Sequence, residues 1–339
     1  MLSVFKMVPL FRKGNMMKWF LSVPLVAVLL CAVTFAEPPT EHPTASLFGI
    51  PLSINPSPTA SVPDYLQAIS VTIKAGGAQG SGTLVTRTIG KDTVSFIWTA
   101  GHVVADLRTI RKVINKDGQT RVLVEFKDPQ IVQERQQSGR RVGEVKYDCR
   151  VIKYSDADYG EDLCLLQVRC LNAYPASISA KFQSDIDYVP PIGAELSHCG
   201  SLLGQFGANS YTEGVLSQVG RTLPMAGANV KVFDQVTTVA FPGSSGGGMF
   251  LKDSGEYVGM LTMGVTQMQG FNFIVPVRRI HAWSKTAGVE WAINPAIQVP
   301  SLAELNAIPV EDVGVFSEGP TGYRTSVDET DGPVFLPSE

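Results

Sequence analysis

Charge is scarce in this 339-residue chain. Only 17% of its residues are Asp, Glu, Lys or Arg, and 28 bases against 31 acids leave a formal net charge of −3. Nothing in that composition points to a polybasic surface, which argues against nucleic acid as a partner. The common metal and nucleotide signatures are missing as well: there is no Cys-x-x-Cys, no His-Glu-x-x-His and no Gly-Lys-Thr phosphate loop. Neither metal nor cofactor is therefore expected. Nine bases between Arg108 and Arg141 are interspersed with acids and read as a solvated loop. What the chain has in quantity is apolar side chains, 44% of the total, with 32 Gly and 22 Pro. That combination supports a sizeable core interrupted by many turns and excludes a disordered or coiled-coil protein.

The small net charge hides an uneven distribution. Residues 1–36 hold four bases and no acid, whereas residues 301–339 hold eight acids and one base, so the middle is balanced. After Lys18 the run Trp19–Ala36 is apolar except for Ser22 and Thr34 and ends on a small residue before Glu37. A basic flank, an apolar stretch and a small terminal residue fit a cleavable export signal, and so a periplasmic or secreted location. An uncleaved anchor is the alternative, since about 18 residues lies at the lower limit for spanning a bilayer. Residues 37–63 carry seven prolines in 27 positions and read as an extended linker or proregion. Residues 299–339 read as an acidic, unstructured tail.

Between Tyr65 and Val275 the chain is divided into short runs rich in Val, Ile, Thr and aromatics. Among them are Ser81–Thr86, Val94–Thr99, Val122–Phe126, Val145–Tyr154, Leu163–Val168, Ala194–Cys199, Val215–Val219, Val236–Val239, Tyr257–Thr262 and Asn272–Val275. Runs of this length bounded by turn residues predict an all-β class, as antiparallel barrels or a sandwich. A Pro-containing stretch, Leu171–Pro191, separates two sets of strands of similar size. One helix is expected, Val277–Lys285, with Val277, Ile280 and Ser284 on one face.

Three segments carry candidate chemistry. In Phe241–Phe250, FPGSSGGGMF, dense glycine permits positive φ and lets backbone N–H groups converge, so Ser245 could be held with its own N–H and that of Gly243 around one point. Ser244 is the rival hydroxyl. In Phe96–Val104, FIWTAGHVV, an apolar strand ends at His102, where an imidazole of near-neutral pKa can act as a base. In Asp158–Val168, DYGEDLCLLQV, Asp162 stands at the mouth of an apolar run, where a carboxylate needs a hydrogen-bond partner; the Nδ1–H of a catalytic histidine would serve. Asp156 and Asp158 compete with Asp162 for an ordinary turn-capping role. The remaining histidines read as solvated (His42), partly buried (His198) and superficial on the helix (His281).

The chain order His102, Asp162, Ser245 is that of chymotrypsin-like enzymes. With Gly80-Ser81-Gly82, Thr-Ala-Gly-His-Val-Val at 99–104, Asp-Leu-Cys-Leu-Leu at 162–166, Glu-Gly-Val-Leu-Ser at 213–217, Pro-Gly-Ser-Ser-Gly-Gly at 242–247 and Phe-Asn-Phe-Ile-Val-Pro at 271–276, the sequence resembles a trypsin-like serine peptidase. It is most similar to the bacterial high-temperature-requirement (Deg-type) branch. The resemblance implies two antiparallel six-stranded β-barrels followed by a short helix, in a peptidase domain over residues 64–298 with barrels near 64–170 and 190–285. It implies Ser245 as nucleophile, because only Ser245 is followed directly by two glycines. His102 would be base and then acid, Asp162 would orient it, and the N–H groups of Gly243 and Ser245 would form the oxyanion hole. Three residues depart from the family pattern: Ser244 replaces Asp or Asn, Gly248 replaces Pro and Cys164 replaces Ala. The segment after Lys285 is too short for the PDZ domain that accompanies the protease in that branch.

The implied substrate is a protein or peptide. Val239, six residues before the nucleophile, brings no charge to the base of the primary pocket, and Met260 and Phe273 are candidate walls, so an apolar or small side chain is expected at the cleaved position. A peptidase-like binding or scaffold protein without turnover is the alternative. Cleavage of the signal would leave Cys149, Cys164, Cys170 and Cys199. Spacing permits a Cys149–Cys170 disulfide, while Cys164 and Cys199 read as small buried residues.

Overall fold

The computed structural model describes residues 61–114, 120–137, 140–224, 230–265, 268 and 270–310. Trp19–Ala36, His42 and residues 311–339 lie outside the described residues. Helix α1 (Val62–Ile69) opens the described chain, and its start is written locally. Ser61 accepts from the backbone N–H of Asp64 while the Asp64 carboxylate accepts from the Ser61 N–H, a capping box, and Pro63 sits in the first turn where no N–H is needed.

Eight strands follow: β1 (Ser70–Ala75), β2 (Ala78–Ile89), β3 (Asp92–Thr99), β4 (Arg108–Ile114), β5 (Thr120–Phe126), β6 (Gln130–Gln137), β7 (Arg140–Ser155) and β8 (Leu163–Val168). Six of them close a barrel in the order β1-β2-β3-β8-β7-β6, and β4 with β5 forms a separate hairpin. The expected loop over Arg108–Arg141 is therefore largely strand. Its polar residues concealed this: β6, QIVQERQQ, pairs with both β1 and β7 through its backbone. Of the side chains described in that strand, Ile131, Val132 and Gln133 are buried, and the Gln133 Nε2–H donates to the Ala68 carbonyl at 2.5 Å.

The second set comprises β9 (Lys181–Phe182), β10 (Glu195–Leu202), β11 (Gly207–Pro224), β12 (Val230–Val236), β13 (Gly248–Leu251), β14 (Glu256–Gly264) and β15 (Asn272–Pro276). The order β13-β10-β11-β12-β15-β14 is closed into a ring by pairing of β13 with β14, and β9 adds in parallel to β14. The two-barrel architecture is thus present. The strand expected over Val236–Val239 stops at Val236, because residues 237–239 leave the sheet toward the Gly-rich segment. Among the described residues no helix is long and apolar enough to cross a membrane.

Helix α3 (Val277–Thr286) matches its expectation and joins the barrels. Trp283 on α3 meets Trp98 edge-on at 5.8 Å between ring centroids, and Trp291 beyond it meets Phe96 at 4.9 Å. This explains why alternate residues of β3 are buried on both faces. His281, expected at the surface, is buried, and its Nε2–H donates to the Gln183 carbonyl at 2.7 Å. The chain then returns over the first barrel. The Arg87 guanidinium donates to the carbonyls of Trp291, Asn294, Pro295 and Ile297, and the Val310 carbonyl accepts from the Tyr154 N–H at 2.8 Å. Helix α4 (Leu302–Ala307) lies in this return, with Val299 and Leu305 buried. Residues 299–310, expected in the tail, are consequently packed structure. The expectation failed because acidic composition averaged over 39 positions masked a second capping box, Ser301 with Glu304.

Candidate active site

His102 lies in the single helical turn α2 (Gly101–Val104) that directly follows β3. Strand β3 is fixed by burial, so the turn presents the imidazole at the barrel rim, where its side chain keeps 31% exposure. The backbone N–H of His102 donates to Asp162 Oδ1 at 2.9 Å, and the ring Nδ1 lies 3.0 Å from Oδ2. Pairing with a carboxylate assigns the proton to Nδ1 and leaves Nε2 with its lone pair free of any partner among the described residues.

Asp162 is held with a φ of 55°, a left-handed conformation rare outside glycine. The loop before it explains how that conformation persists. Asp156 organises the turn: its carboxylate accepts from the N–H groups of Asp158 and Tyr159, and its carbonyl from those of Gly160 and Asp162. The turn-capping role therefore belongs to Asp156 and the histidine-facing role to Asp162. The Asp162 carboxylate also accepts from Thr262 Oγ1 of β14 at 2.5 Å, a bond between residues 100 positions apart. Burial alone would raise the Asp162 pKa, but the His102 charge and the bonds from His102 and Thr262 outweigh it and hold the group below the usual carboxylate value. For His102, burial pulls the pKa down, and the adjacent Asp162 charge and hydrogen bond more than reverse it, so the net shift is upward.

The Gly-rich segment makes two successive turns. Ser244 N–H donates to the Phe241 carbonyl and Gly247 N–H to the Ser244 carbonyl, with φ of 92° at Gly243 and 85° at Gly246 in the third positions. With Pro242 second in the first turn, this is type II chemistry, which requires positive φ where glycine stands. The glycines are also sterically compelled. A Cβ on Gly243 would lie 2.5 Å from the Gly204 nitrogen and the Ser201 carbonyl, and one on Gly246 would lie 2.9 Å from the Ala100 nitrogen. The second contact brings the segment against the His102 turn.

The same turns leave the N–H groups of Gly243 and Ser245 without a partner among the described residues, whereas those of Ser244, Gly246 and Gly247 are bonded. Ser245 Oγ donates to the Thr262 carbonyl at 3.4 Å, so Thr262 touches both Ser245 and Asp162. No hydrogen bond joins Ser245 Oγ to His102. Ser244, the rival hydroxyl, is buried and engaged as an acceptor from the Phe241 N–H at 3.1 Å.

Two residues unassigned from sequence support this arrangement. Ser81 donates from its N–H to the Ser245 carbonyl and from its Oγ to the Gly243 carbonyl, and its Oγ accepts from the Ser201 N–H. Its signal was the Gly-Ser-Gly pattern at 80–82. Thr262 could have been noticed as a polar residue within an apolar strand. Of the pocket candidates, Val239 keeps 37% exposure, Phe273 is nearly buried at 8%, and Met260 is wholly buried, so Met260 has no surface to offer a substrate. All four described cysteines are free thiols; Cys149 is buried and Cys170 exposed, so the Cys149–Cys170 disulfide is not formed.

A family model described as the trypsin-like peptidase domain matches residues 80–260, just over half of the chain. No curated protein matches. Among solved structures, Deg5 is 18% identical, covers 66% of this chain and 90% of its own, and has a TM-score of 0.44. A serine endoprotease from Yersinia pestis is 19% identical, with coverage of 67% and 66% and a TM-score of 0.44. The protease domain of MamO from Magnetospirillum magneticum is 16% identical, with coverage of 63% and 95% and a TM-score of 0.43.

Proposed function

The chain belongs to the trypsin-like peptidase family and is a serine endopeptidase acting on proteins or peptides, and from that premise we propose that Ser245, His102 and Asp162 form its catalytic triad. Ser245 Oγ attacks the peptide carbonyl while His102 Nε2 takes its proton. The N–H groups of Gly243 and Ser245 receive the developing oxyanion. His102 then passes the proton to the departing amine, and water, activated by the same nitrogen, releases the acyl group from Ser245.

The observation that carries this reading is the pair of unbonded N–H groups at Gly243 and Ser245 beside a histidine whose Nδ1 is engaged by a buried carboxylate. Backbone donors are rarely left unpaired without a ligand to receive them, and donors aimed at a developing charge are what acyl transfer needs. Ser245 Oγ rests on the Thr262 carbonyl rather than on His102, and catalytic hydrogen bonds commonly form or tighten only when substrate is bound. A fluorophosphonate probe tests the assignment. Wild type and Ser244→Ala are expected to label and to digest casein, and Ser245→Ala to do neither. Labelling that persists in Ser245→Ala would overturn the triad.

Specificity follows from Val239, which is uncharged and partly exposed. The cleaved position is therefore proposed to take an apolar or small side chain. A peptide library showing strong Arg or Lys preference would refute this. The apolar Trp19–Ala36 segment with its basic flank further supports export, and N-terminal sequencing of the mature protein distinguishes a cleaved signal from a retained anchor.

A further inference from the structure

Glu161 immediately precedes Asp162, and it is engaged by the other barrel. Its carboxylate takes Arg279 Nη2 at 2.6 Å and Nε at 3.0 Å in a two-pronged contact, and Lys231 Nζ at 2.7 Å on the opposite oxygen. Arg279 stands in the first turn of α3 and Lys231 near the start of β12, both beyond the first barrel. The guanidinium is fixed in turn. It lies over the buried Phe233 ring at 4.8 Å, donates to the Val232 carbonyl at 3.0 Å and reaches the Glu161 carbonyl at 3.4 Å. Arg279 and Lys231 side chains are only 14% and 17% exposed, so solvent weakens the contact far less than at a surface pair. On the barrel-one side, the Glu161 N–H donates to Ser155 Oγ at 2.7 Å.

These contacts converge one residue before a backbone conformation that Asp162 adopts only because its surroundings impose it. We propose that Glu161, Arg279 and Lys231 form a latch across the two barrels that positions Asp162 and thereby sets the basicity of His102. The proposal rests on the triad reading. Glu161 touches neither substrate nor His102 and is a positioning residue. The other ionisable groups facing this loop are Asp156, Asp158, Tyr159 and Asp162 within it, Tyr154 from β7, which donates to Asp156, and His102 from α2. Nε and Nη2 converge on the one oxygen Oε2 while Nη1 holds the Val232 carbonyl, so the planar guanidinium is fixed in direction as well as charge, which is the property a positioning element requires.

The test is a set of pH profiles of kcat/KM on a peptide substrate, normalised to titrated active sites, with melting temperature recorded alongside. Glu161→Gln is expected to lower kcat/KM roughly 10- to 100-fold and to move the acidic limb downward toward the ordinary imidazole value. Arg279→Lys, which keeps charge and loses the fork, should fall between wild type and Glu161→Gln. Wild-type kcat/KM and an unmoved limb in Glu161→Gln, whatever its melting temperature, would overturn the latch. Should Glu161→Gln fail to fold, Lys231→Met removes one cation and leaves the fork. A smaller limb shift in the same direction supports the latch, and an unmoved limb overturns it. Ser245→Ala with the latch intact separates the two readings: surviving turnover there overturns the triad and the latch together, whereas a silent Glu161→Gln overturns the latch alone.

Discussion

The two halves of the candidate site are built on opposite principles. On the first barrel, the Asp162 carboxylate has three donors, the His102 N–H, the His102 ring and Thr262 Oγ1, and its loop is braced by Asp156. On the second barrel, the Gly-rich segment is braced from behind by Ser81 while the N–H groups of Gly243 and Ser245 are left unbonded. A buried charge must be satisfied in the resting state or it protonates. A site for a transient charge must instead be unsatisfied until that charge develops. Bracing and saturation are thus separate properties: both halves are braced by hydrogen bonds, and only one has all its donors and acceptors engaged.

Breaking the saturated half has the largest expected effect. Asp162→Asn should reduce kcat on the order of 10⁴-fold, because an amide no longer fixes the tautomer that leaves Nε2 basic; steady-state kinetics on a peptide ester measures it. Breaking the open half costs less. Gly243→Ala places a methyl 2.5 Å from two backbone atoms at a φ of 92°, which displaces one donor and should cost roughly 10²–10³-fold in acylation rate, read as the rate of fluorophosphonate labelling. Thr262→Val removes one of three donors to Asp162 and should cost about tenfold in kcat/KM, while Thr262→Ser retains the donor and the activity. In wild type that limb should lie above the ordinary imidazole pKa, because Asp162 raises that of His102 and activity needs it neutral.

The smallest expected effect on activity comes from His198, which lies behind the Gly-rich segment. It is fully buried, donates from Nδ1 to the Gly248 carbonyl at 3.0 Å, and its Nε2 has no partner. Burial is the main cause of a pKa lowered to about 4. The unfolded chain therefore binds a proton that the folded one refuses, and stability is lost as pH falls from about 6.5 to 4, by up to roughly 3 kcal/mol. His102 acts in a different window. Its raised pKa contributes stability that is complete below 6.5 and is lost as pH rises through the folded value. Asp162, with a lowered pKa, contributes only above the usual carboxylate value and loses its share below it. Denaturant titrations across pH 4–7 should show a slope that His198→Leu flattens, with kcat at neutral pH little changed.

Much of this was legible in the chain. Strand β8 coincides with the apolar run Leu163–Val168, and α3 was marked by Pro276 and its periodic face. The residues of the site were legible where they sit in dense local patterns, as in FPGSSGGG. Strand β6 was hidden because a strand that closes a barrel through its backbone needs few apolar side chains. Ser81, Thr262 and Glu161 were hidden for a different reason: their partners lie 162, 100 and 118 positions away.

The all-β class, the turns that require glycine, and the hydroxyl, imidazole and carboxylate available for chemistry are already written along the chain. These are local matters of backbone freedom, side-chain periodicity and ionisation chemistry. The assembled barrels are what turn Asp162 toward His102 while Asp156 caps the turn, leave Ser244 engaged by the Phe241 N–H, and keep two N–H groups open. Asp162 is chosen by distant donors, His102 and Thr262, that strand register brings within about 3 Å, whereas Asp156 and Ser244 bond within three residues of themselves.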